Sequence, residues 1–168
     1  MFEISVRGRP APQGSKKGVA RFRGKGPDKQ LVGINQIEMS PHVGNWRGDV
    51  KRTAEDFIAG TGHVRFEGPV RVRMVFTVQK PKSAPKRRRT WPATMPDLSK
   101  LCRSTEDALT AAGVWRDDAR VVEYTRLAKV YPGEDPEALE VPGVRIQVEE
   151  VRDESVPGFG QLMEASGG

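Results

Sequence analysis

The stretch from Met95 to Tyr124, MPDLSKLCRSTEDALTAAGVWRDDARVVEY, leaves few folds open, because it spells a helix, a stop and a strand without interruption. Pro96 limits how the chain can enter, and Asp97 is placed to cap free backbone N–H groups. Leu98, Leu101, Cys102, Thr105, Ala108, Leu109 and Ala112 then fall on one face at helical spacing. Ser99, Arg103 and Asp107 run as a polar stripe along another side. Gly113 ends the helix, since it takes positive φ at low cost. Asp117 and Asp118 follow in the turn, and Val121-Val122 opens a β-branched strand. If helix and strand pack antiparallel, Asp97 and Asp117-Asp118 are expected to meet. The plain alternative is that these acids are only caps and turn residues.

The rest of the chain supplies a sheet for that unit. Phe2, Ile4 and Val6 alternate with Glu3, Ser5 and Arg7, the pattern of a half-buried strand. Residues 8–45 are rich in Gly, Pro, Lys and Arg, and two readings stay open: a flexible solvated loop or a backbone-rich phosphate clamp. Asn45 to Ala59 reads as a helix with Trp46, Val50, Ala54, Phe57 and Ile58 on its apolar side. Pro69 to Gln79 reads as a strand, and so do Arg120–Tyr131 and Gly143–Val151, the last two joined as a long hairpin through Pro132-Gly133 and Pro142. The order is β-α-β-α-β-β. It predicts a single α+β domain over residues 1–151, with a mixed sheet and helices mainly on one face. Residues 152–168 lack an apolar period and read as a loose tail.

Composition narrows the function classes. A formal charge of +6 favours nucleic acid or another anionic partner over an acidic surface. No run approaches the roughly 18 apolar residues that cross a bilayer, and the N-terminus has no apolar signal core. The expectation is a cytoplasmic protein without a membrane partner. Cys102 is the only cysteine, so no internal disulfide is possible, and its place on the apolar face reads as a small buried hydrophobe. His42 and His63 are far apart and in no metal-binding spacing. The loop from Lys80 to Pro96 holds prolines at 81, 85, 92 and 96 and the run Lys86-Arg87-Arg88-Arg89. Such a run is a solvated surface or a DNA contact, and its position beside the acidic stretch favours contact. Trp91 reads as a lid over a core edge, with base stacking as the alternative.

The spacing P-D-L-x-K-L-x-R-x-x-x-D-A-L-T-x-A-G-V-W-x-D-D-A-x-V-V resembles the core signature of the RusA family of Holliday junction resolvases. A second segment, Gly8 to Lys17, is similar to that family's G-x-P-x-P-Q-G-S-K-R. The resemblance implies a RusA-like fold and a homodimer, whose two-fold symmetry suits a four-way junction. It implies magnesium, with manganese as a substitute. It carries Asp97 and Asp118 over as metal ligands and catalytic residues, with Asp107 and Asp117 as further ligands or orienting groups. Arg103 stands where the family has a catalytic lysine or arginine, placed to hold the scissile phosphate. Lys16, Lys17, Lys86, Arg87, Arg88, Arg89 and Lys100 are the expected DNA contacts. Ser99 departs from the pattern, which has a second aspartate there; a hydroxyl is a poorer ligand than a carboxylate for a hard ion.

The expected activity is therefore resolution of four-way DNA junctions by paired phosphodiester hydrolysis. Ser99 motivates an alternative, a branched-DNA-binding protein that does not cut. A third reading is a general basic nucleic-acid-binding domain whose acids are caps.

Overall fold

The computed structural model describes residues 1–14, 16–24, 26, 29–38 and 42–152. The expected tail therefore falls outside the described residues, except for Arg152. Strand β1 is Phe2–Arg7, β2 is Lys16–Arg23, β3 is Gln30–Glu38, β4 is Val70–Thr77, β5 is Val121–Val130 and β6 is Gly143–Glu150. Helix α1 is Val43–Thr61 and α2 is Leu98–Ala112, with a 3-10 turn at Asp118–Arg120. Four strands make the main sheet in the order β1-β6-β4-β5. β4 and β5 are parallel, and β6 is antiparallel to both β4 and β1. The sheet is mixed, as the α+β order predicts.

Alternation decides which face the helices cover. Phe2, Ile4 and Val6 of β1, Val72, Met74 and Phe76 of β4, and Val144, Ile146 and Val148 of β6 all point into one core. Trp46, Val50 and Ala54 of α1 and Leu101, Ala108 and Leu109 of α2 close that core from above. Fully burying each large side chain contributes about 1.5–3 kcal/mol of transfer free energy. One hydroxyl satisfies two polar atoms inside this layer. Trp46 Nε1 donates to Thr105 Oγ1 at 3.1 Å, which locks α1 to α2. Thr105 in turn donates to the Leu101 carbonyl at 2.9 Å.

α2 ends at Gly113 as the sequence predicts, while α1, expected over Asn45–Ala59, runs from Val43 to Thr61 and stops at Gly62. Gly62 and Gly113 sit at φ 66 and 80, and their N–H groups close on carbonyls of the last turn. The start of α2 differs from expectation: Asp97 occupies the N-cap position but makes no side-chain cap. Its carboxylate pairs instead with Lys100 at 3.2 Å, a charged partner one turn ahead that competes with the backbone.

Two further expectations are corrected. β5 and β6 do not form a hairpin, because β4 lies between them. Parallel pairing of β4 with β5 needs a crossover, and α2 is that crossover. β5 is largely exposed and suits an edge, whereas β6 carries a regular apolar face and suits an interior place. Residues 8–45 are also not all loop. β2 and β3 pair antiparallel as a separate two-stranded sheet, with a bulge between Arg21 and Phe22. Backbone pairing makes this hairpin, and its apolar residues, Val19 and Phe22 in β2 and Leu31, Val32, Ile34 and Ile37 in β3, keep no steady alternation with polar ones, which hides it from periodicity.

Candidate active site

The β4-α2-β5 crossover positions the site. α2 runs out and β5 returns against it, so β5 side chains meet α2 in reverse order. Lys129, late in β5, reaches back to the start of the helix and donates to the carbonyls of Thr94 and Pro96 at 2.6 and 2.7 Å. Asp97 is near enough to act on the Lys129 charge. Tyr124, early in β5, lies level with the middle of α2, where its hydroxyl donates to Glu106 Oε1. The Cys102 thiol donates to the same hydroxyl at 3.5 Å.

Between helix and strand lies a cleft of about 520 Å³, lined by Ser99, Lys100, Cys102, Arg103, Glu106, Asp118, Tyr124 and Leu127. Four residues singled out in the sequence thus line one cleft: Ser99, Lys100, Arg103 and Asp118. Glu106 joins them; in the sequence it is an extra acid beside Asp107, two turns beyond Ser99, and the sequence reading assigns it no role. Its signal was available, since Ser99, Cys102-Arg103 and Glu106 follow one another at three- and four-residue steps along a single helix line.

The electrostatics mark Glu106. Burial raises its pKa above the ordinary glutamate value; the Tyr124 hydroxyl opposes this, and the charges of Asp118 and Asp107 reinforce it. Burial also pushes the Cys102 thiol up to about 12, which keeps it protonated and unreactive as the sequence reading expects. Burial and the Glu106 bond raise Tyr124 as well, so its hydroxyl remains a donor.

The other predicted residues stand as follows. Asp97 does not line the cleft, but its partner Lys100 does. Asp107 pairs with Arg47 of α1 at 2.7 Å. Asp117 accepts the Ala119 N–H at 2.8 Å and so caps the 3-10 turn that presents Asp118. Among the described residues, no three of His, Cys, Asp and Glu gather in a metal-holding group. Lys16 and Lys17 open β2, and their side chains lie outside what is described.

The basic loop is anchored more than its composition suggests. Arg89 donates to Asp135 at 3.0 Å, and its guanidinium lies 4.1 Å over the Trp91 ring. Trp91 is 61% exposed, so it is not a lid over the core. Glu134 takes the Thr90 N–H at 2.9 Å and pairs with Lys80. Lys86, Arg87 and Arg88 remain exposed.

The glycine- and proline-rich N-terminal segment packs against the same helix. Gln13 N–H donates to the Lys100 carbonyl at 3.0 Å. Ser104 Oγ, fully buried, donates to the Ala11 carbonyl at 2.7 Å. The two motif-bearing stretches of the sequence are therefore one structural unit. No helix among the described residues is long and apolar enough to cross a membrane.

A search of curated proteins finds no match. A family model, Endodeoxyribonuclease RusA, matches residues 12–149, which takes in the cleft, both helices and the segment from Pro12 onward. With most of its length matched, the chain belongs to the RusA family of endodeoxyribonucleases.

Proposed function

We propose that the protein cuts four-way DNA junctions as a magnesium-dependent homodimer, hydrolysing paired phosphodiesters. One observation carries this reading: Asp118, Arg103, Lys100 and Ser99 of the signature line one cleft. The donor chemistry suits the ion. Asp118 and Glu106 present hard anionic oxygens and Ser99 adds a hydroxyl, while Asp97, one residue outside the helix, pairs with Lys100 and lies near Lys129. Magnesium commonly takes only one or two protein carboxylates and completes its shell with water and phosphate. Asp118, the signature aspartate that lines the cleft, would hold it, with manganese as a substitute. Bound there, the ion lowers the pKa of water and offsets charge on the phosphate oxygens. Arg103 and Lys100 bind the phosphate oxygens and orient the scissile bond. The exposed Lys86, Arg87 and Arg88, together with Lys16 and Lys17, draw the DNA backbone toward carboxylates that repel it.

Cutting of a synthetic four-way junction tests this. Asp118→Asn is expected to lower the cleavage rate by about 10²-fold or more, a loss of the size seen when a charge-stabilising group is removed. Junction binding should persist, since one negative charge facing the DNA is gone. Wild-type cutting that is undiminished in excess chelator overturns the magnesium reading. Ser99 on the cleft wall favours a second reading, a branched-DNA-binding protein without cleavage. Junction binding with no cutting at any magnesium or manganese level would establish it.

A further inference from the structure

Ser99 leaves the cleft one carboxylate short of the pattern its motif resembles. The cleft nevertheless holds two carboxylates, because Glu106 faces it beside Asp118. Glu106 is not a solvated helix charge. It takes no salt bridge among the described residues, and its Oε1 is held by the Tyr124 hydroxyl. Tyr124 itself sits on the exposed edge strand and is fixed from behind by the Cys102 thiol at 3.5 Å. Asp107, the next residue, turns away to Arg47. Lys100 and Arg103, the cations of the cleft, lie on the same helix toward its start. The wall thus has a cationic end that suits phosphate and an anionic end that suits a divalent cation.

We propose that Glu106 supplies the second carboxylate of the cleft and acts with Asp118 as a ligand for the divalent cation, with Tyr124 as its positioning residue. The proposal rests on the nuclease reading above. The geometry gives each group one task. Tyr124 occupies one oxygen of Glu106 and leaves the other for the ion. The 3-10 turn, capped by Asp117, presents Asp118 toward it. Ser99 offers at most a neutral oxygen from the first turn of the helix.

Manganese binding to the full chain without DNA, followed by water-proton relaxation or calorimetry, separates the possibilities. Glu106→Gln keeps the shape and the Tyr124 bond while removing the charge. It is expected to weaken manganese binding about tenfold or more, as Asp118→Asn does. Tyr124→Phe keeps both carboxylates and frees one, and is expected to weaken binding by up to about tenfold. Thermal unfolding of each variant checks that the fold is retained, and Glu106→Asp is a second probe of the same charge at a shorter reach. If Glu106→Gln binds manganese like wild type while Asp118→Asn does not, Glu106 is a spectator and the proposal is overturned, with the nuclease reading intact. If wild type binds no manganese and cuts no junction, both readings fall together.

Discussion

At the level of single residues, Ser99 and Ser104 show how one residue type serves two purposes on one helix. Ser104 is fully buried and ties the N-terminal segment to α2 through the Ala11 carbonyl. Ser104→Ala leaves that carbonyl without its hydroxyl partner, so a loss of about 1–3 kcal/mol is expected, read as a lower urea midpoint. An unchanged midpoint would show that solvent replaces the bond. Ser99 is exposed and lines the cleft. Ser99→Asp adds a carboxylate to a site whose ion affinity follows ligand charge. The expected result is a lower magnesium concentration at half-maximal cleavage, with stability little changed. A higher requirement would mean that the new charge repels the DNA more than it attracts the ion.

Among elements, the connection between β5 and β6 carries the densest ionic network described. The Asp135 side chain is 2% exposed and accepts from Arg126 at 2.5 and 3.0 Å and from Arg89 at 3.0 Å. Glu137 pairs with Arg73 at 2.6 Å and also with Arg126. Glu134 holds Lys80 and Thr90. The network covers part of the sheet face opposite the helices and fastens the 80–91 loop to it. Hydrogen bonds from Arg126 and Arg73 hold the pKa values of Asp135 and Glu137 below the ordinary range. A depressed carboxylate contributes stability that is full above its unfolded pKa, about 4, and is lost as pH falls through the folded value. Stability should therefore decline below about pH 4. Asp135→Asn is expected to cost about 1.5–3 kcal/mol at pH 7 and to flatten that acid decline, as followed by urea titration from pH 2.5 to 7. An equally steep decline in the variant would assign the acid sensitivity to other carboxylates.

For the whole molecule, charge is divided between anchored and free cations. Arg73, Arg89 and Arg126 are committed to the network, whereas Lys86, Arg87 and Arg88 are exposed. Replacing Arg87 and Arg88 with Ala should weaken binding to linear and branched DNA alike and reduce the slope of log affinity against log salt by up to about 2. Replacing Arg89 should instead cost stability, because its partner Asp135 is nearly buried. A salt slope unchanged by the double replacement would assign Arg87 and Arg88 to solvent.

The boundaries of α2, the core strands and the buried state of Cys102 follow from local pattern: apolar period, a glycine that takes positive φ, and β-branched runs are all properties of neighbouring residues. The family signature is equally local, and so Asp118, Arg103 and Lys100 could be named before any fold was known. What neighbours cannot specify is pairing. That β4 separates β5 from β6, and that Lys16–Arg23 and Gln30–Glu38 form a hairpin, depend on backbone hydrogen bonds between segments whose side-chain patterns do not name a partner. The site follows the same division. Reversal of β5 against α2 sets Lys129 beside Asp97 and brings Tyr124 and Asp118 to Glu106, so an acid outside the signature faces the cleft. Only the packing of strand on helix fixes which residues are level with one another, because that register is set by the core beneath both.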